Sequence, residues 1–396
     1  MFFIAVPFPR KMARFLYFIN EVIDLTDKEY MQMALKLAEE GRGYTSPNPI
    51  VGCVIVDEAG TVVGRGYHHK AGEAHAEVNA LAQAQEKAKG ATVYVTLEPC
   101  AHVGRTGPCC DALIAAGVKR VVIAAKDPNP KVAGQGIARM KAAGIKVEQG
   151  VLAEEAYMQN EIFMHWMISG MPFVAMKYAM TLDGKLATYT GDAKWITGET
   201  ARAYGHLLRH EYDAILVGKR TVLVDDPELT CRLVDGNNPI RVVLDSNLEI
   251  PRTCKLVNDG KAPTIIVTGK DVPAKKVAAF TSKPGVRVMQ VPLSDGEPDL
   301  KYLLSALGRE NITSVLVEGG SAVHGSFFDA GLVQRVYAFI APKLIGGTGN
   351  ISPVGGKGKS VISAGYVLRH QEVKTFDRDI LVTGRIGKEL RPCSQD

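Results

Sequence analysis

HAEVNAL at 75–81 and VTLEPCAHVGRTGPCCDALI at 95–114 are the stretches on which the reading of this chain turns. His75, Cys100 and one of the adjacent pair Cys109 and Cys110 are zinc ligands by type, a neutral imidazole and two thiolates. A catalytic zinc takes three protein ligands and keeps a fourth position for water. A structural zinc closes with four, and Cys110 or His102 could supply the last. Glu77 and Pro99 fit the catalytic version and serve no closed site. Zinc lowers the pKa of bound water toward neutrality, so that water can attack an amidine-like carbon of a heteroaromatic ring. Glu77, two residues from His75, is placed to take that proton and hand it to the departing nitrogen.

Zinc deaminases carry His-x-Glu and then Pro-Cys-x-x-Cys, the glutamate not being a ligand. Here Val103 stands where the second cysteine would be, and 101–108 makes a longer loop between the thiols. With that loop, 75–114 closely resembles the bifunctional deaminase/reductase family of riboflavin biosynthesis. The resemblance implies His75, Cys100 and Cys109 as metal ligands and Glu77 as proton shuttle. It also implies substrate contacts from Asn48, His68, His102, Arg105, Asp127 and Asn129, with Arg105 on a phosphate. On the residues alone, DPNP at 127–130 is also good turn chemistry, and Asn48 between two prolines could merely shape a turn.

Outward from this motif the chain alternates. Thr26-Asp27-Lys28-Glu29 is a capping box opening a helix. Strands are expected at 51–56, 62–66, 91–97 and 120–125, and helices at 74–87, 108–116, 132–143 and 153–169. His75 and Glu77 then lie in the first turn of one helix, and Cys109 and Cys110 at the start of another, where the dipole favours thiolate. This predicts an α/β layered domain over 26–170, with Gly170-Met171-Pro172 as the junction.

A second α/β series fills 171–396. Strands are expected at 173–180, 214–217, 240–244, 264–267, 286–291, 314–317, 336–340 and 380–382, and helices at 199–209, 300–308 and 322–330. No Gly-x-Gly-x-x-Gly follows a strand, and GGKGKS at 355–360 fails as a P-loop because Pro353 occupies the first glycine position. Val317-Glu318-Gly319-Gly320-Ser321 remains, a strand running into a Gly-rich helix start that suits a phosphate.

KYAMTLDGK at 177–185, GDAKWIT at 191–197, VGKRTVLVDDP at 217–227, LTCR at 229–232, EGGSAVHGSFF at 318–328 and APKLIGG at 341–347 are similar to the reductase half of the same family. The resemblance covers nearly all of 26–385. It implies a cytidine-deaminase-like three-layer domain followed by a dihydrofolate-reductase-like α/β domain, with Zn2+ and NADPH as cofactors and a homodimer or tetramer. NADPH contacts are implied at Ala179, Thr181, Trp195, Thr197, Thr221, Asp225, Ser246, Gly319, Gly320 and Ser321. Substrate contacts are implied at Lys177, Ala193, Arg209, Leu229, Arg232 and Glu318. Arg209 and Arg232 suit a phosphate, since a guanidinium can clamp two oxygens. Lys177 and Asp225 are both candidate proton donors to the opened sugar. His206, His210 and His324 read as structural.

The net charge of +5 over 396 residues gives no basic patch that would call for nucleic acid. A nucleic-acid deaminase would also want stacking aromatics, yet between Tyr67 and Pro130 only Tyr94 is aromatic. Alternatively, the second half could be a non-catalytic module that binds a nucleotide or mediates assembly, which hydride transfer would distinguish. Seven cysteines without framework spacing suit a reducing cytoplasm. Residues 1–25 are apolar but broken by Pro7, Pro9, Arg10, Lys11 and Arg14. They read as a poorly ordered extension rather than a membrane span or signal peptide. The expected partner is a small pyrimidine ribotide, with no membrane.

Overall fold

The computed structural model describes residues 25–101, 107–129, 133–348 and 351–387. All of the expected N-terminal extension except Leu25 lies outside them. Thr26 caps α1 (Asp27–Glu39) as expected: its hydroxyl accepts from Glu29 N–H, and the Glu29 carboxylate accepts from Thr26 N–H. Five strands follow: β1 (Gly52–Val56), β2 (Val62–Tyr67), β3 (Thr92–Leu97), β4 (Arg120–Ala125) and β5 (Lys146–Gln149). Their order is β2-β1-β3-β4-β5. β1 runs antiparallel to β2 and β3, and β3, β4 and β5 are parallel. Alternation turns Cys53, Ile55, Val93, Val95, Val121 and Ile123 toward α2 (Ala76–Ala84), α3 (Cys109–Ala115) and α4 (Gln135–Ala142). Val54, Val56, Tyr94, Val122 and Ala124 face α1 and α5 (Ala153–Gln159) on the other side.

Close backbone approach seats the helix that carries the motif. A Cβ on Gly66 of β2 would lie 2.3 Å from the Ala76 carbonyl oxygen and 2.5 Å from Ala80 N. Only glycine lets α2 lie this near the strand. Gly66→Ala should therefore cost about 1–3 kcal/mol by overpacking and should lift the first turn of α2. A urea melt compared with wild type, together with metal retention after dialysis, checks both effects.

The second half builds a nine-stranded sheet. It begins with β6 (Phe173–Thr181), β7 (Ala214–Gly218), β8 (Ile240–Leu244), β9 (Thr264–Gly269) and β10 (Val286–Val291). A separate small hairpin of β11 (Leu293–Ser294) and β12 (Glu297–Pro298) follows, then β13 (Ser314–Val317), β14 (Arg335–Ala341), β15 (Arg369–Phe376) and β16 (Asp379–Arg385). The order is β10-β9-β8-β7-β13-β6-β14-β16-β15, parallel as far as β14 and antiparallel beyond it. α11 (Leu300–Arg309) and α12 (Ser321–Asp329) pack on one face; α7 (Glu199–Glu211), α9 (Lys255–Asn258) and α10 (Ala274–Thr281) pack on the other, and α8 (Lys219–Asp225) follows β7 directly. The chain enters at β6, steps to β7, runs outward to β10 and returns to place β13 between β7 and β6. Open α/β sheets bind ligands outside the strand carboxyl ends at such a reversal.

Several elements differ from expectation. The single helix expected at 153–169 is two, α5 and α6 (Glu161–Ser169), broken at Asn160. The Asn160 amide accepts from Ile50 N–H and donates to Ile50 O, both at 2.9 Å, so the break ties α6 to the entry of β1. β5 and β15 were not expected because they are edge strands with few apolar residues. β15 is exposed along nearly its whole length, and its place is set by pairing with β16. α8, α9 and α10 were also unforeseen. Among the described residues no helix is long and apolar enough to cross a membrane.

α6 joins the halves. Arg335 of β14 donates to the buried Glu161 carboxylate at 2.6 and 3.0 Å, and Arg385 of β16 approaches it at 3.3 Å. Trp166 Nε1 donates to Gly308 O at 3.2 Å.

Candidate active sites

His75 is the N-cap of α2 and Cys109 the first residue of α3, while Cys100 follows the end of β3, so two helix starts and a strand end converge. The His75, Cys100 and Cys109 ligand atoms lie within 4.8 Å of one another. His75 Nδ1 is 3.2 Å from Cys109 Sγ and 3.7 Å from Cys100 Sγ. A tetrahedral zinc with bonds of roughly 2.0–2.3 Å spaces its donors about 3.5–3.8 Å apart, so this triangle fits the ion. The Cys109 N–H also points at Cys100 Sγ, at 3.4 Å. Cys110 turns away into the apolar core and donates weakly to Asp111 at 3.6 Å. Glu77 is 3% exposed, and burial pushes its carboxyl up to about 7.

These residues open onto a cavity of about 280 Å³ whose wall also includes Asn48, His68, Asp127 and Asn129. Asn48 Nδ2 donates to His68 Nε2 at 3.1 Å, which leaves His68 Nδ1–H to donate to Ala74 O at 3.1 Å. That pairing fixes a neutral His68, and burial lowers its pKa further. His102 and Arg105 lie outside the described residues.

Sequence reasoning missed part of this wall. Phe163, Trp166 and Met167 of α6 line the cavity, although an apolar helix face reads simply as core. Glu98 was also passed over. Its buried carboxylate accepts from Gly134 N–H at 3.0 Å and Ile137 N–H at 3.3 Å, pinning the start of α4, and from Asp127 N–H at 3.4 Å. An acidic residue between a buried strand and Pro99 was the available signal.

A second cavity, about 390 Å³, is lined by Lys177, Ala179, Ala193, Trp195, Thr197, Arg209 and Arg232. His206 and Arg202 line it as well, neither having been singled out as a site residue. Glu318, at the end of β13, accepts from Arg209 Nε and Nη2, both at 2.8 Å, and from Lys177 Nζ at 3.5 Å. Burial raises the Glu318 carboxyl, but the Arg209 and Lys177 charges outweigh it and hold the group well below the usual range.

Arg209, expected on the phosphate, lines this cavity and is also the partner of Glu318. Its fork already grips Glu318, and Nη1 donates to Thr230 O at 3.0 Å. Arg232 is exposed, and no carboxylate among the described residues forks onto it in this way. Gly319, Gly320 and Thr221 meet where β13 and β7 end, and with Ser321 they are not part of this cavity's lining: a Cβ on Gly319 would lie 2.4 Å from Val217 Cα, and one on Gly320 3.7 Å from Thr221 Oγ1. Such a glycine cradle at a helix start fits a dinucleotide phosphate. Thr181 donates to Asp183 at 2.6 Å and Ser246 to Glu297 at 3.2 Å. Leu229 is buried, and Asp225 is exposed at the end of α8; neither lines the cavity.

Residues 25–125 match the model of the cytidine and deoxycytidylate deaminase zinc-binding region, and 172–382 match that of the RibD C-terminal domain. The riboflavin biosynthesis protein RibD of Actinobacillus pleuropneumoniae is 46% identical, the match covering 92% of this chain and 96% of that protein. That of Aquifex aeolicus is 45% identical, covering 90% and 97%. The solved structure of Acinetobacter baumannii RibD superposes with a TM-score of 0.82 at 36% identity, over 91% of this chain and 99% of that one. A diaminohydroxyphosphoribosylaminopyrimidine deaminase/5-amino-6-(5-phosphoribosylamino)uracil reductase from Thermotoga maritima gives 0.80 at 38% identity, with the same coverage. With two zinc-type thiols and an imidazole converging in one half and the glycine cradle of a reductase in the other, the chain belongs to the RibD family of bifunctional riboflavin biosynthesis proteins.

Proposed function

We propose that residues 26–170 hydrolyse the 2-amino group of 2,5-diamino-6-ribosylamino-4(3H)-pyrimidinone 5′-phosphate, and that 171–396 reduce the ribosyl group of the product to ribityl. The His75–Cys100–Cys109 triangle beside buried Glu77 carries the first assignment. Bound there, zinc supplies the Lewis acidity that activates water at neutral pH. Glu77 holds the proton and returns it to the leaving nitrogen. Asn48, His68, Asp127 and Asn129 present polar groups to the heterocycle edge, and Phe163 and Trp166 offer it an apolar face.

NADPH, when bound, would supply the hydride for reduction at the sugar C1. Glu318, kept ionised by Arg209, accepts from sugar hydroxyls. Lys177, rather than Asp225, is the proton donor, since Lys177 lines the second cavity and Asp225 does not. Arg232 holds the phosphate. Apolar Val367 and Val373, exposed beside and on edge strand β15, support a homo-oligomer. The six described cysteines are all unpaired, which supports a reducing cytoplasm.

The test supplies the diaminopyrimidine ribotide with and without NADPH and follows mass. Exchange of amino for oxygen in both cases, with added hydrogen only when NADPH is present, is the expected result. Exchange without reduction would remove the second assignment, and no exchange by zinc-loaded protein would remove the first. Cys109→Ser should lose more metal affinity than the ~10–100-fold typical of an outer-shell change. Metal analysis should find it depleted and deaminase-dead, yet still reducing supplied uracil intermediate. Cys110→Ser should keep its zinc.

A further inference from the structure

His206, in the middle of α7, lines the wall of the second cavity, and the residue is 5% exposed. The backbone N–H of Arg232 donates to its Nδ1 at 3.0 Å. A ring nitrogen that accepts carries no proton, so the single proton of the neutral imidazole sits on Nε2. No protein group among the described residues pairs with Nε2. Burial, and after it the Arg209 and Arg232 charges, lower the ring's pKa to about 4, with Glu318 opposing and Lys177 assisting. The ring is thus a neutral donor with one proton to give, held at a fixed tautomer on a rigid helix, beside the cations of a site built for a phosphorylated sugar.

We propose that His206 is a substrate-positioning residue of the reductase site, donating its Nε2–H to an acceptor oxygen of the ribose 5-phosphate arm. The assignment rests on the reductase reading above. The donor complements the pair already described: Glu318 can only accept, and the exposed Arg232 guanidinium fixes the far end of the arm without fixing its rotation. A neutral donor between them selects one rotation of the sugar and so presents C1 to the cofactor side of the cavity.

Two substitutions separate this role from a structural one. Asparagine places its amide where Nδ1 lies, keeping an acceptor for Arg232 N–H but losing the donor. Glutamine reaches the Nε2 position and restores the donor. In the full-length enzyme, with 5-amino-6-(5-phosphoribosylamino)uracil and NADPH, His206→Asn should lower kcat/KM for the ribotide by about 10–100-fold, as expected for removing a buried hydrogen bond. The KM for NADPH should stay unchanged, which verifies that the domain is folded. His206→Gln should recover to within about fivefold of wild type. Wild-type behaviour of His206→Asn with a slow His206→Gln would overturn the proposal, because the ring would then serve only to prop Arg232. Failure of wild type itself to oxidise NADPH with this substrate would overturn the reductase reading, and the assignment with it, and would be seen before any variant is compared.

Discussion

Glu77→Gln should slow deamination by about 10²–10⁴-fold while leaving zinc content and NADPH-dependent reduction at wild-type levels. The substitution keeps the side chain's shape in a position that is 3% exposed, so the packing of α2 on β2 is preserved. It removes only the ability to take and return a proton. Because Glu77 is not one of the three converging ligand atoms, the metal stays. Paired assays of ammonia release and NADPH oxidation on one preparation make the check, with metal analysis alongside. A variant that lost zinc together with activity would place Glu77 among the ligands and return the site to a closed, structural centre.

The largest effect on the other half is expected from Glu318→Ala. Arg209 and Lys177 would be left as buried charges facing no carboxylate, and breaking such a pair costs about 3–5 kcal/mol. Reduction should disappear while deamination persists. A melt followed through the reductase half should shift sharply, and Glu318→Gln should fall between the two. The same group predicts how stability depends on pH. Its folded pKa lies below its ordinary value of 4.5. Its contribution is therefore complete above that value and is lost as pH falls toward the folded pKa. Wild type should lose stability steeply in that acid window, and Glu318→Gln should lose less. Equal acid sensitivity of the two proteins would show that the Arg209–Glu318 pair is not what the pH acts on.

Much of this arrangement is legible in the sequence because the signals are local. Central strands such as β1, β8, β9 and β13 are apolar, Val- and Ile-rich runs that read as buried strands. The metal triangle rests on residue types that have few other uses in that spacing. What escaped depends on distance. Phe163 and Trp166 look like any apolar helix face, and only the break at Asn160 turns that face toward the zinc-type residues. Arg209 has the chemistry of a phosphate clamp, but no local signal shows that Glu318, 109 positions away, pairs with it. His206 reads as a core histidine until Arg232 N–H fixes which nitrogen holds the proton. Edge strands β5 and β15 bury too little to leave a hydrophobic pattern.

The ion cluster at Glu161 bears on the order in which the protein comes into being. The chain emerges from the ribosome with the zinc-binding layers first, and α6 follows at once. Its anchor Arg335, however, is 174 residues downstream. At about 5–20 residues per second, the Glu161 carboxylate waits roughly 10–35 s for that guanidinium, and longer for Arg385, while Asn160 and Met164 already hold α6 on the deaminase layers. Until the final strands of the reductase sheet are made, α6 therefore carries a carboxylate whose two arginine partners do not yet exist.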